Sequence, residues 1–360
     1  MRILILSCNT GEGHNSVAAA LAEKFVREGH FCMQVDALSL VSERVSSTVS
    51  RAHSFIYRNL PELYGRGYRR EEEHALKLPE FLFTEAEPAL RRILTEQRID
   101  AVISVHVFGG LLMTYTRQHW WGDLPAYFVA TDYTCSPYVN LCQARRFFIP
   151  HPSLIPQFSQ KGIPEELLVA SGIPLRDPFY HLKSKGQART ELALPEQEPV
   201  VLLSSGSIGC GPIQRLCERL AEDLPQAKLV AVCGHNEKLR AKLEAKLDPA
   251  RCRVLGFTDQ MADYMAASDV YVTKAGGLSV TEALTGGARL VIMDAVQGCE
   301  TENLAFLEEH GLAKGAKTVP ALAALVQKAL AGADAPLPQM PNGTQRIYDE
   351  VVSGADHSGA

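Results

Sequence analysis

The stretch Met1–His30, MRILILSCNTGEGHNSVAAALAEKFVREGH, decides the fold. Its apolar run Ile3–Leu6 reads as a fully buried strand. The run breaks into Gly11-Glu12-Gly13-His14 and enters an Ala-rich helical pattern. A glycine turn between strand and helix is where a parallel α/β sheet offers backbone N–H groups and a positive helix end to a ligand. The turn is not a dinucleotide fingerprint, because the sixth position is Ser16 rather than glycine and Asp36 follows only a weak strand. Its plain reading is a tight turn, and that of His14 a capping or exposed residue. An ordinary imidazole pKa of about 6.5 also suits a general base at neutral pH.

The same rhythm continues outward. Ala101–Val105, Ala126–Ala130 and Arg146–Ile149 read as buried strands of a first half. Val200–Ser204, Lys228–Val232, Arg253–Leu255, Val270–Thr273 and Arg289–Met293 read as strands of a second. Strands alternating with helices imply parallel sheets with crossover connections. A chain of 360 residues favours about two domains. The junction falls at Ser171-Gly172-Ile173-Pro174 and the polar stretch after it. The expected architecture is therefore α/β: Rossmann-like domains at 1–172 and 173–335, then a tail, 336–360, with one possible helix at 345–352 and disorder-prone residues after it. No solenoid-type repeat occurs.

Segment 43–83 departs from this rhythm. Val45, Val49, Ala52 and Ile56 recur at helical spacing, and Arg44, Arg51 and Arg58 recur every seventh residue. Arg66, Arg69 and Arg70 follow, with Phe55, Tyr57, Tyr64 and Tyr68 interleaved. One reading is a surface helix with its apolar stripe in the core. The other is a basic, aromatic face over 43–70 that touches an anionic membrane.

Composition excludes several classes. No apolar run reaches the length of about 18 residues that a membrane span needs. The start is a strand rather than a signal peptide. Nine cysteines without Cys-x-x-Cys fit free thiols in a reducing cytoplasm rather than a metal framework. A net charge of −5 argues against general nucleic-acid binding.

Four strand-end turns in the second half carry the sharper signal. They are Ser204–Gly209 (with Gly206 and Ser207), Cys233–Asn236 (with Gly234 and Asn236), Gly256–Met261, and Thr273–Glu282. In the last, Gly276 and Gly277 permit close approach to a diphosphate, Ser279 and Thr281 offer hydroxyls, and Glu282 has the reach to accept both ribose hydroxyls. One such turn is unremarkable; four at the carboxyl edge of one sheet point to a nucleotide-diphosphate site.

With Gly256–Leu284, GFTDQMADYMAASDVYVTKAGGLSVTEAL, the chain resembles GT-B glycosyltransferases of family 28, in the branch of monogalactosyldiacylglycerol synthases and processive diacylglycerol glucosyltransferases. The resemblance runs from Met1 to about Leu330. It implies a UDP-sugar in the C-terminal domain, a lipid acceptor in the N-terminal domain, and a cleft between them. It further implies Phe257 and Thr258 beside the uracil, Glu282 at the ribose, and Ser207, Gly276, Gly277, Ser279 and Thr281 near the diphosphate with Met261 close by. Gly11-Glu12-Gly13-His14 corresponds to the family's Gly-Gly-Gly-His turn, whose histidine is the base or an acceptor-site residue. Gly298, Glu300 and Asn303 match the family's Pro-Gly-Gln-Glu-x-x-Asn element, in which Cys299 replaces a glutamine expected at the donor sugar. A thiol cannot supply the paired donor and acceptor of an amide. On the acceptor side His106 is kept without the following proline, Thr131-Asp132-Tyr133 is kept, and Val139 stands where an aromatic residue is expected.

The resulting expectation is an inverting transfer of glucose or galactose from a UDP-sugar to a lipid hydroxyl such as that of diacylglycerol. His14 takes the proton and Asp132 orients it. The absence of any Asp-x-Asp triplet leads to an expectation of no metal and no cofactor. The protein would be cytoplasmic, peripheral on the inner face of the cell membrane. Three alternatives stand beside it: transfer to a polyprenyl-linked acceptor, a UDP-sugar epimerase, and a non-catalytic UDP-sugar sensor. His106 and Asp132 also have plain readings as a hydrogen-bonded structural residue and a cap.

Overall fold

The computed structural model describes residues 1–73, 79–120, 124–204, 206, 211–293, 295, 298–332 and 340–356. The chain divides into two units: Met1–Arg176 with Gln297–Cys299 and Pro341–Ala360, and Asp177–Val296 with Glu300–Met340.

The first unit holds β1 (Arg2–Ser7), β2 (Phe31–Asp36), β3 (Ala101–Ser104), β4 (Ala126–Val129), β5 (Arg146–Ile149) and β6 (Leu168–Ala170). They form one sheet in the order β2-β1-β3-β4-β5-β6, with every pairing parallel. Ile3 registers against Cys32 on one side and Ala101 on the other. Ile3, Leu4, Ile5 and Leu6 are all fully buried, which is why β1 reads as an unbroken apolar run.

The second unit holds β7 (Val200–Ser204), β8 (Lys228–Val232), β9 (Cys252–Leu255), β10 (Val270–Thr273), β11 (Arg289–Met293) and β12 (Ala313–Ala316). Their order, β12-β11-β10-β7-β8-β9, is the doubly wound arrangement, again all parallel. Each sheet has a point where the chain reverses its direction of travel: between β1 and β3 in the first, and between β7 and β10 in the second. Loops leaving the carboxyl ends of those strands frame the crevice where α/β sheets hold ligands.

Three strands gave little signal in the sequence: β6 and β12 lacked a strand-like run, and β2 read only as a weak strand. All are edge strands. β2 has no fully buried residue, with Phe31 and Gln34 exposed, and β12 reads Ala-Lys-Gly-Ala, so neither has the continuous apolar pattern of a strand buried on both faces.

The tail departs from its expected independence. Helix Gly343–Asp356 extends past the expected 345–352 and packs on helix Glu12–Arg27. Ile347 and Val351 are fully buried. The Tyr348 ring lies 5.3 Å from Phe25, and its hydroxyl is 3.2 Å from His30 Nε2. Thr344 Oγ1 donates to Leu175 O at 2.7 Å and accepts from Leu175 N at 3.1 Å. A Cβ on Gly343 would come 2.7 Å from Gly172 O, so the join needs glycine's close approach.

Segment 43–73 forms helices Glu43–Asn59 and Pro61–Glu73. Ser42 Oγ caps the first by accepting from Val45 N at 3.1 Å. The expected core stripe is not buried as a unit: Val49 and Ala52 are exposed. The buried contact is Ser46, which donates to the Asp36 carboxylate. Asp36 also accepts from Asn9 Nδ2 at 2.9 Å, so it ties this helix to the loop after β1. The side chains of Tyr57, Arg58 and Tyr64 lie outside the described residues. No helix among the described residues is long and apolar enough to cross a membrane.

Candidate active site

In the first unit the loops after β1 and β3 converge. Gly11 precedes helix Glu12–Arg27, so Gly13 and His14 lie in its first turn. Glu12 is the first helical residue, where a carboxylate complements the positive helix end by about 0.3–1 kcal/mol. That placement suits an acid at this position, and it disfavours a second anion at the same helix end. A Cβ on Gly11 or Gly13 would meet no protein atom within 4 Å, so packing does not demand glycine there.

His14 Nδ1 lies 2.8 Å from Val105 O. A carbonyl only accepts, so Nδ1 carries the proton and the Nε2 lone pair is left as the basic atom. Thr131 Oγ1 is 3.2 Å from the same nitrogen. Burial lowers the His14 pKa below its ordinary value; the Asp132 charge, and then the Val105 bond, push it back up. The imidazole is therefore neutral at neutral pH. The Val105 and Thr131 oxygens lie at Nδ1, and the Asp132 charge also acts on the ring.

His106 stands edge-on to His14, with ring centroids 4.7 Å apart and planes at 86°. It is the N-cap of helix Val107–His119: Phe108 N donates to its Nδ1 at 3.1 Å. Nδ1 is thus unprotonated, and Nε2 faces Thr10 Oγ1 at 3.3 Å. Burial, then the neighbouring His14 and His53, hold its pKa well below the ordinary range. The plain structural role of His106 is realised, and it still walls His14. Tyr133, expected on the acceptor side, is 2 % exposed.

His53, from helix Glu43–Asn59, was not anticipated. Burial, followed by the nearby His14, lowers its pKa. No catalytic motif surrounds it in the sequence, and only the fold brings it to the other two imidazoles.

In the second unit the loops after β7 and β10 hold the glycine turns. Gly206 takes a left-handed φ of 74°, and its N–H donates to Ser204 Oγ at 3.3 Å. Ser207 lies outside the described residues. Gly276 is the N-cap of helix Gly277–Gly286, which has neither a side-chain cap nor an acid in its first turn. Its leading N–H groups and positive end are arranged to receive an anion. Ser279 and Glu282 are half-buried on this helix. Thr281 is 2 % exposed, and its hydroxyl donates to Gly277 O at 2.7 Å.

The last matched element supports this turn from behind. Asn303 is fully buried and donates to Ala275 O at 2.7 Å, fixing the backbone ahead of Gly276. The Glu300 carboxylate lies 3.5 Å from the Lys274 ammonium, and each side chain is 8 % exposed. Gly298 takes a left-handed φ of 117°, and Cys299 opens helix Cys299–Glu309, half-buried.

Of the outer turns, Gly234 adopts φ 56° and Asn236 caps helix Glu237–Lys246, accepting from Leu239 N at 3.0 Å. Thr258 Oγ1 accepts from Gln260 N at 3.1 Å. Met261, half-buried, begins helix Met261–Ala267. Phe257 is 63 % exposed.

Comparisons with known proteins follow the two units. Residues 14–175 match the family model "Monogalactosyldiacylglycerol (MGDG) synthase", and residues 200–346 match "Glycosyltransferase family 28 C-terminal domain". A processive diacylglycerol beta-glucosyltransferase of Staphylococcus saprophyticus is 24 % identical, covering 99 % of this chain and 94 % of its own. The chloroplastic monogalactosyldiacylglycerol synthase of Spinacia oleracea is 27 % identical over 91 % of this chain and 66 % of its own. In fold, the chain is similar to Acinetobacter baumannii MurG, with a TM-score of 0.63, 18 % identity, and coverage of 98 % of this chain and 99 % of that one. It is equally similar to a UDP-GlcNAc 2-epimerase from Neisseria meningitidis, with a TM-score of 0.65, 13 % identity, and coverage of 98 % and 100 %. With its two sheets and both family models spanning most of the residues, the chain belongs to the GT-B glycosyltransferases of family 28, in the monogalactosyldiacylglycerol synthase and processive diacylglycerol glucosyltransferase branch.

Proposed function

We propose that this protein is a glycolipid-forming hexosyltransferase that moves glucose or galactose from a UDP-sugar to diacylglycerol with inversion at the anomeric carbon. The observation that carries the reading is the Nδ1–Val105 bond of His14, which leaves Nε2 as the proton acceptor. The acceptor hydroxyl gives its proton to Nε2 as its oxygen forms the new glycosidic bond. The bond from the anomeric carbon to UDP breaks in the same displacement, and the electron pair leaves on the diphosphate. The first turn of helix Gly277–Gly286 carries about half a positive charge towards that developing anion. This electrostatic support is the reason we propose a reaction without a metal or other cofactor. Glucose and galactose differ at one hydroxyl, and Cys299 in place of an amide leaves the preference between them to measurement.

We also propose that the enzyme works peripherally on the inner face of the cell membrane through 43–70. Val49, Phe55, Leu60 and Leu63 are 37–61 % exposed there, beside exposed Arg44, Arg51, Arg66, Arg69 and Arg70. Each basic residue near an anionic surface adds about 1 kcal/mol. Arg66 is partly engaged by Glu62 at 3.7 Å.

The test supplies purified protein with UDP-glucose or UDP-galactose and diacylglycerol in neutral or anionic vesicles. Glycolipid from one donor, more of it on anionic vesicles, and loss of product at high salt are expected. No glycolipid from either donor contradicts the transferase reading. Sugar-nucleotide turnover without acceptor would instead favour an epimerase.

A further inference from the structure

His235 was assigned no role by motif or resemblance, yet it makes an unusual contact. Its ring lies 4.8 Å from that of Phe257, with the planes only 8° apart. Both residues are exposed, Phe257 to 63 %. Two separate loops build the pair: His235 follows β8 and Phe257 follows β9, at the carboxyl ends of neighbouring parallel strands. The loops are tied together, since Cys233 N donates to Leu255 O at 2.8 Å and Asn236 N to Cys233 O at 3.1 Å. Asn236 then caps helix Glu237–Lys246, which pins His235 from its other side.

A parallel ring pair in water contributes little to folding, about 0.5–1.5 kcal/mol, while leaving apolar ring surface exposed. The arrangement makes chemical sense as a platform for a third flat ring, because stacking a base on an aromatic side chain is worth about 1–3 kcal/mol. The position fits a nucleotide. Three strand spacings, about 14 Å, separate the end of β9 from that of β10, where helix Gly277–Gly286 begins. A base on the ring pair and a diphosphate at that helix would share one edge of the sheet.

We infer that His235 is a positioning residue for the donor: it stacks on Phe257 and fixes the ring plane against which the nucleobase lies. The inference rests on the UDP-sugar reading and adds to it a residue that governs base affinity rather than chemistry. The base needs no hydrogen bond from His235, so another flat ring serves equally.

Calorimetric titration of UDP into the wild-type chain, His235→Ala and His235→Phe tests this, alongside donor KM and kcat and the melting temperature. His235→Ala is expected to weaken UDP binding about two- to tenfold, the equivalent of one aromatic pair. Donor KM should rise in the same proportion, with kcat unchanged and the melting temperature lowered only slightly, and His235→Phe should restore affinity. Wild-type affinity in His235→Ala, or a loss that His235→Phe does not recover, overturns the inference alone. A wild-type chain that binds no UDP overturns the donor reading and the inference with it.

Discussion

Two glycine turns, one at each switch point, are built in opposite senses. Gly11–His14 places a carboxylate, Glu12, on the first turn of its helix and a neutral imidazole two residues later. Gly276–Gly277 opens a helix with no acid and no side-chain cap. The first turn satisfies its own positive helix end and offers a base. The second leaves its helix end to an incoming anion. A glycine-rich turn after a parallel strand is therefore not a phosphate site by shape alone; the charge on the first helical turn decides what it can hold.

The largest effect that tests this division is on turnover. His14→Ala should lower kcat about 10²- to 10⁴-fold, the usual contribution of a general base, in steady-state assays. Full activity in that variant would remove the base from the first turn. On the other side, Ser279→Glu gives the second turn the carboxylate that the first already has. Like charges about 5 Å apart near a surface repel by a few kcal/mol, so UDP affinity should fall about 10- to 100-fold by calorimetry. Helix stability should be unharmed, because an acid in the first turn is favourable.

The second turn also depends on the buried pair behind it. Lys274→Met removes the ammonium facing the Glu300 carboxylate at 8 % exposure and should cost about 3–5 kcal/mol of stability in denaturant unfolding. An unchanged midpoint would mean that the pair does not hold the turn.

The pH response separates the turns as well. His14 must be neutral to act, and burial lowers its pKa, so the acid limb of kcat/KM should lie below pH 6.5. Asp132 raises that pKa, so Asp132→Asn should move the limb to still lower pH. Stability carries the same sign. His14 and His106 stay neutral when folded but take up protons when unfolded, so stability is fully present above about pH 6.5 and declines below it. The smallest effect belongs to Glu12→Gln, which should lose only about 0.3–1 kcal/mol of stability and leave UDP binding unchanged.

Much of this architecture was legible in the sequence, because strands buried on both faces announce themselves as continuous apolar runs. Ile3–Leu6 and Val200–Ser204 are such strands. The edge strands β6 and β12 were silent, and β2 read only weakly, for the converse reason. Within the site, His14 and the Gly276–Gly277 turn were legible because each lies at a strand–helix junction. Contacts distant in sequence were not: Val105 as the partner of His14, 91 residues on, His53 arriving from another helix, and Asn303 holding Ala275. The orientations of Thr281 and Tyr133 were not legible either, because a motif position does not say which way a side chain faces. Thr281 turns its hydroxyl back to its own helix, and Tyr133 is buried.

The central claim is that the two turns divide base and donor binding between the two units. It is tested most directly by titrating UDP into His14→Ala and measuring turnover on the same preparation. The account predicts wild-type UDP affinity, within about twofold, with turnover lower by about 10²-fold or more. A His14→Ala chain that loses UDP affinity in step with turnover, or keeps its turnover, would contradict it.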